Sequence, residues 1–522
     1  MRKLFVLIAL VAGVAGANEL SYKSLQSYGS TTPLYDHGIH GEGQIVAFLD
    51  TGVDYQSCFF VEPDGSRPPI NTRLDGNNVD LTRRKIVAYD FLYSCDQFPN
   101  AAGCDDPNSP DAWDNHGHGT HQAASSVGDR ATPIVHDYGD AIAPGAKLIV
   151  QDAGYIGPAG DNCSQRPGIG CPVNITPILE QAYRQGARIH ANSWGDRSAP
   201  LASYSAAARD IDAFVFSHPD MLVIFNTGNL GSPGTAPPST LSAPGCAKNT
   251  LQVGGTRDAN HYADDTISSF TLMGPTRDGR IKPDLVGPAY VLAGDARLAA
   301  NGQTCSLTFQ PGTSWASPTI AGAAALVRQY FTDGYYPSGT PNAADRFTPS
   351  AALLKATLIA AARRVPYLMT SNGLVDSKPV PSNEQGFGFP VLGDVLYFPG
   401  NAAKLRVSDS DIADGQTSTA QVVVHPGTPF KAVLVWTDPP GVPLVNDLDL
   451  RVTDPSGSVF YGNGQPDHVN NVEAVSIAQP LAGTYTISVN AHHLGLGSRQ
   501  SFALVMTADI GEGVTRERAA RH

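Results

Sequence analysis

Two hydrophobic periodicities divide the chain. Up to about residue 400, short unbroken apolar runs alternate with stretches whose apolar residues recur at helical spacing. Ile45–Asp50, Lys85–Phe91, Ala143–Gln151, Ala187–Gly195 and Met221–Phe225 are the apolar runs, and each reads as a strand buried on both faces. Gln122–Val127, Pro177–Gly186 and Ser203–Phe216 read as helices, as does the alanine-rich run Thr319–Val327. Such alternation predicts an α/β fold, a parallel sheet with helices on both faces. From about residue 401 helical spacing disappears. Period-two runs at 421–425, 430–436, 448–452, 484–489 and 501–506, separated by Pro, Gly and Asp turns, predict an all-β jelly roll or sandwich. The expected organisation is an α/β domain over 18–400, a β-domain over 401–510 and a frayed tail over 511–522.

With 522 residues the chain exceeds what one core usually serves, which agrees with two domains. Its first 17 residues read as a secretory signal peptide: Met1-Arg2-Lys3 is basic, Leu4–Val14 is apolar, and Ala15-Gly16-Ala17 is a small-x-small cleavage site. An uncleaved anchor is the alternative, and the run is short for one. No later run approaches the ~18 apolar residues of a membrane span, so a soluble, secreted protein is expected. A net charge of −13 repels phosphate backbones and argues against nucleic-acid partners. Secretion would oxidise most of the seven cysteines. Cys95–Cys104 and Cys163–Cys171 are natural hairpin staples, and a Cys246–Cys305 bridge would brace the segment before Ser314, leaving Cys58 unpaired, although spacing does not fix connectivity. No Cys-x-x-Cys repeat points to a structural zinc site. Asn162-Cys163-Ser164 and Asn174-Ile175-Thr176 are N-glycosylation sequons.

Three short stretches carry chemistry. Gln310–Pro318 leads into the alanine-rich helix and puts Ser314 in its first turn, beside free N–H groups and the positive end of the helix dipole. Alone, such a serine is usually a cap. Asp50 ends an apolar strand and is followed by Thr51-Gly52, the place where open α/β sheets put their sites. Asp114–His121 opens a second helix of small residues. Asp-Thr-Gly, His-Gly-Thr-His and Gly-Thr-Ser-x-Ala-Ser-Pro, in that order, resemble the subtilisin-like serine proteases. The resemblance covers about residues 40–395. The wording of Gly279–Pro288, Asn383–Gly388, Trp436–Gly441 and Leu444–Leu450 is similar to the alkaline-protease subgroup that carries a C-terminal β-domain.

The resemblance implies a subtilisin-like fold, Asp50, His118 and Ser314 as a triad, and Asn229 of Thr227-Gly228-Asn229 as an oxyanion donor. It implies that Ser193-Trp194-Gly195 and Gly228 bind the substrate backbone, that protein or peptide substrates pass through an acyl-enzyme, and that the chemistry needs no cofactor. Departures are a segment from Asn18 to Asp50 too short for a domain-sized propeptide, Gln122-Ala123-Ala124 after His121, and Asn226 before Thr227. Asn226–Leu230 supplies no acid, which favours a broad or apolar pocket over one for basic side chains. Asp447 and Asp449 share one strand face and, with Asp438, could hold a structural calcium. Two other readings compete: a metal hydrolase built on His116, His118 and His121, which lacks the usual acid at Thr120, and a binding protein that keeps the fold without activity, which relatives of that kind usually signal by losing a triad residue.

Overall fold

Continuous runs of Val, Ile, Leu, Phe and Ala bury well on two faces, and such runs build the centre of the α/β region. The computed structural model describes residues 17–92, 113–114, 117–130, 139–155, 168–169, 174–196, 199–230, 236–257, 265–296 and 305–511. Residues 1–16 of the expected signal peptide, the sequon at Asn162, Cys95, Cys104, Cys163, Cys171, His116 and the tail beyond 511 lie outside them, while Ala17 begins helix Ala17–Ser27. Parallel strands lie side by side in the order Leu251–Arg257, Leu222–Asn226, Ile189–Asn192, Ile45–Asp50, Lys147–Asp152, Ile86–Phe91 and Ile70–Asn71. The Asp50 strand is the point where the strand order reverses. Helices His118–Ser126 and Thr313–Thr332 cover one face in a large core, while Thr176–Arg184 and Ala206–Ser217 cover the other in a second core. The α/β expectation therefore holds, with antiparallel strands such as Thr266–Ile267 added at one edge.

Beyond residue 403 two four-stranded antiparallel sheets face each other. One runs Lys404–Ala413, Arg499–Ala508, Phe430–Trp436 and Val472–Ile477; the other runs Thr417–Val424, Gly483–Leu494, Asn446–Thr453 and Val459–Tyr461. Trp436, Phe430 and Tyr485 fill the space between them, and the indole Nε1 donates to Asn446 O at 2.8 Å. This is the expected β-sandwich. Period two located five of its eight strands. It passed over Lys404–Ala413, Val459–Tyr461 and Val472–Ile477, where charges or few residues blur the alternation.

The two regions share one core. All ten residues of helix Ala351–Ala360 are buried, because the helix lies between the α/β sheet and the β-domain face formed by Val433, Val435, Val472, Ala503 and Val505. Its last carbonyls would be orphaned there. Lys431 of the β-domain donates to Ala360 O at 2.9 Å and Ala362 O at 2.6 Å. Beside the helix, Lys248 is fully buried against the carboxylate of Asp438. Asn249 Nδ2 donates to Asp438 O at 2.9 Å and the Asp438 N–H donates back to Asn249 Oδ1 at 2.9 Å.

The disulfide expectation is corrected. Cys305 pairs with Cys58, and Cys246 is a free, buried thiol. Cys246 sits in a separate small cluster with Ala202 and Leu241, its carbonyl held by Arg280 Nη2 at 2.7 Å. The bridge still anchors the segment that leads to Ser314, from the opposite partner. Burial pushes the Cys246 thiol up to about 11, so it is inert near neutrality.

Removing one member of a fully buried ion pair strands the other in an apolar surround. Asp438→Ala is expected to cost about 3–5 kcal/mol through the uncompensated Lys248 ammonium. Chemical denaturation of the full chain should show that loss, whereas Arg499→Ala, at an exposed pair with Asp411, should leave the denaturation midpoint nearly unchanged.

Candidate active site

Parallel strands deliver their C-terminal ends to one edge, and Asp50 sits at such an end, 2% exposed. Asp50 Oδ1 accepts from His118 Nδ1 at 2.7 Å and from the Thr51 N–H at 2.8 Å. The approach is close: a Cβ on Gly119 would come within 2.1 Å of Gly52 O, so no other residue fits there.

What fixes the His118 helix is Asp114. Gly117, at the cap position, has no side chain to satisfy the first N–H groups. Asp114 does so instead, accepting from the Gly117 N–H and the Thr120 N–H, both at 2.8 Å. Its Oδ1 also accepts from Thr51 Oγ1 at 2.8 Å, and that hydroxyl accepts from the Gly119 N–H at 2.9 Å. One buried carboxylate thus ties the helix start to the turn after Asp50. Sequence reading quoted Asp114 in its motif without a role; its place four residues before the histidine was the available signal.

Gln122 is the second residue that was missed. One helical turn after His118 and fully buried, its Nε2 donates to Asp50 Oδ2 and lies 2.8 Å from His118 Nδ1. With His118 on Oδ1 and Gln122 on Oδ2, both oxygens of the carboxylate are engaged. A long polar side chain at i+4 from His118, just before the Ala/Ser run, was the clue.

Ser314 is the second residue of helix Thr313–Thr332, and Pro318 lies inside that helix. Proline has no N–H to give to the carbonyl four residues back. That carbonyl belongs to Ser314. Ser193 Oγ takes it at 2.8 Å, and Ser314 Oγ lies 3.4 Å from Ser193 O. Ser193 is thus joined to the Ser314 backbone, just past the end of strand Ile189–Asn192; the expected strand stops before Ser193, Trp194 and Gly195. Trp194 and Gly195 are half-buried, and a Cβ on Gly195 would meet Ser242 Oγ at 1.7 Å. Gly228 turns the chain with φ +89°, toward Asn229.

Asn229 is exposed, and its amide is oriented from the Ser314 helix: Oδ1 accepts from the Thr313 N–H at 2.8 Å and from Thr313 Oγ1 at 3.0 Å. The NH2 group is left as a donor. The ring of Trp315, the residue after Ser314, lies with its centroid 4.9 Å from His118 and 4.2 Å from His121. His121 Nε2 is 3.0 Å from Thr308 O, and burial lowers its pKa to about 4. His118 and His121 therefore face different partners with an indole against both, and do not converge as a pair of metal ligands. Asp438 does not join Asp447 and Asp449 either, because Lys248 and the N–H groups of Val445 and Asn446 occupy its carboxylate.

Burial pulls the His118 imidazole toward its neutral form, and the charge and hydrogen bond of Asp50 outweigh that pull, so its pKa is raised above the ordinary value.

A carboxylate, an imidazole held by it, a serine at a helix start and a side-chain amide aimed beside that serine make up the donor set of serine-nucleophile hydrolase sites. The chain belongs to the subtilase family, whose model matches residues 41–388. It is similar to two Dictyostelium discoideum proteins, the serine protease/ABC transporter B family proteins tagA and tagD, each 26% identical over 96% and 95% of this chain. The chain spans about a third of the length of these two relatives, 32% and 33%. Pyrolysin of Pyrococcus furiosus is 24% identical over 55% of the chain and 22% of its own length.

The His118 shift is measurable. In a Ser314→Ala chain, histidine NMR should place its pKa above ~6.5. Adding Asp50→Asn should drop it below that value, since desolvation then acts with little opposition.

Proposed function

We propose that the chain is a serine endopeptidase, exported by its N-terminal signal, that hydrolyses peptide bonds through an acyl-enzyme. The observation that carries this reading is the Ser314 backbone: its carbonyl, freed by Pro318, is held by Ser193, while Thr313 beside it orients Asn229. His118, its Nδ1 bound to Asp50, presents Nε2 as the base. It takes the Ser314 proton as Oγ attacks the scissile carbonyl. Asn229 Nδ2 and the Ser314 N–H, which lacks an intrahelical acceptor in the first turn, stabilise the oxyanion. The imidazolium, held by Asp50, then protonates the leaving amine, and water attacks the acyl-enzyme by the reverse route.

Ser193, Trp194, Gly195 and Gly228 would receive the extended substrate backbone through their own main-chain groups, as an added strand does. A broad or apolar preference at the residue before the scissile bond follows from the lack of acids at Asn226–Leu230. Export agrees with the Cys58–Cys305 disulfide, and Asn174 of the second sequon is exposed. The chemistry just described needs no cofactor.

Two results test the reading. Ser314→Ala should remain folded and lose at least about 10⁴-fold in kcat on casein or a peptide substrate. A serine-directed covalent inhibitor should label the parent at Ser314 and leave His118→Ala unlabelled. If Ser314→Ala keeps the parent's turnover, the assignment fails. The acid limb of kcat/KM should have its midpoint above ~6.5, because a raised imidazole pKa keeps the base protonated to higher pH.

A further inference from the structure

The β-domain holds a group of metal-binding side chains with no part in the catalytic reading. Asp447 and Asp449 alternate on strand Asn446–Thr453 and share a face. His492 comes from the neighbouring strand Gly483–Leu494. The ladder between them slips at Asp447/Leu448, where Asp447 faces His493 and Leu448 faces Ala491, so His492 is the extra residue of a bulge. His468 comes from the loop after Tyr461. Its Nδ1 lies 2.7 Å from Asp447 Oδ2 and 4.0 Å from Asp449 Oδ1, and His492 Nδ1 lies 3.9 Å from Asp449 Oδ2. The two imidazoles sit 4.6 Å apart. One donor atom each from Asp447, His468 and His492 falls within a 4.8 Å span.

We propose that Asp447, His468 and His492, joined by Asp449, form a binding site for one divalent transition ion of the zinc class.

Three features support this. First, two imidazoles with carboxylates are a borderline donor set, which suits zinc-class ions better than the all-oxygen shell that calcium takes. Second, Oδ1 of Asp447 and Oδ1 of Asp449 are buried and have no hydrogen-bond partner. Buried carboxylate oxygens without donors call for a cation. Third, two carboxylates offset a dipositive ion while the imidazoles bind neutral. Zinc ligands lie about 3.4 Å apart on a tetrahedron, so the widest separation must close by about 1.4 Å while the His468–Asp447 contact opens to admit the ion. The histidine side chains are 49% and 56% exposed and can rotate to do so.

The loop presenting His468 is held firmly. Asp467 Oδ1 accepts from the N–H groups of Val469 and Asn470, and its Oδ2 accepts from Asn463 Nδ2 and Asn470 Nδ2. The same loop reaches the α/β region: the Ile281 N–H donates to Asn470 Oδ1 at 2.7 Å and Asn471 Nδ2 donates to Asn249 Oδ1 at 3.2 Å. An ion clipping His468 to the Asp447 strand therefore tightens the junction between the two regions. The site is independent of the triad, so it stands or falls apart from the catalytic reading.

The test uses the full chain, stripped of metal by a chelator and blocked by a serine-directed inhibitor against self-digestion. Calorimetric titration with Zn²⁺ should show one ion per chain at micromolar or tighter affinity, and Zn²⁺ should raise the unfolding temperature. Millimolar Ca²⁺ should not displace it. The double variant His468→Ala/His492→Ala, exposed residues whose loss leaves the sandwich core intact, should fold, lose at least about tenfold in affinity and lose the thermal shift. Co²⁺ should give visible absorption bands in the parent that are missing from the variant. Absence of saturable binding in the parent, unchanged binding in the double variant, or displacement by Ca²⁺ would each overturn the proposal.

Discussion

The hydrogen bond between His118 Nδ1 and Asp50 Oδ1 is the contact around which the α/β region is arranged. Its partners are 68 residues apart in sequence, on a helix and a strand that must nearly touch. Three conditions make this possible. The Asp50 strand lies at the reversal of strand order, where the sheet edge leaves a crevice. Gly119 lacks the Cβ that would collide with Gly52 O. Asp114 caps the helix from outside its own cap position, so the N–H groups that need an acceptor and the turn after Asp50 are served by one carboxylate. That carboxylate is buried, and burial raises its pKa; the hydrogen bonds it accepts work in the opposite direction. It is a device for aligning two backbones, and the His118–Asp50 geometry follows from it.

Ser314 is placed by a different principle. A proline inside a helix ordinarily weakens it. Here the missing N–H frees one carbonyl at the residue that matters, and a hydroxyl from the neighbouring strand end uses it. Thr313, one residue earlier and fully buried, orients Asn229 through its N–H and hydroxyl. The first turn of one buried helix therefore fixes Ser314 and the Asn229 amide beside it, while the rest of the helix, from Trp315 to Val327 entirely buried, anchors that turn in the core.

Much of this was legible in the residues, and the reason is chemical. Asp50, His118, Ser314 and Asn229 stand out because each is a polar side chain beside glycines that allow close approach. The parallel strands were legible as unbroken apolar runs. Helix Ala351–Ala360 was not, because every face of it is buried and it shows no periodicity to read. Cys58 was set aside in favour of Cys246, since spacing along the chain carries no information about distance in space. Gln122 registered only as a departure from the family pattern, because its contact with Asp50 exists only once the helix is built. Half of the β-domain cluster was visible in the alternation of Asp447 and Asp449. The histidines were not, since one arrives by a loop and the other by a bulge, and neither offset leaves a repeat in the sequence.

The junction between the two regions is rigid for a reason that reaches the site. Lys248 and Asn249, which hold Asp438, immediately precede strand Leu251–Arg257. That strand pairs with Leu222–Asn226, and the Thr227 N–H donates to Val253 O at 2.9 Å, one turn of chain before Asn229. The Gln252 N–H donates to Asp284 Oδ2 at 2.7 Å, and Asp284 is in turn held by Lys282 and by Lys355 of the shared helix. Buried charges of this kind are tolerated only where each is fully paired, so the packing around them admits few alternatives. A shift of the β-domain face would have to unpair Asp438 or uncover helix Ala351–Ala360 before it could move the strand behind Asn229. The position of the Asn229 amide is thus set from two sides, by Thr313 in the Ser314 helix and by a strand whose start is locked to the β-domain.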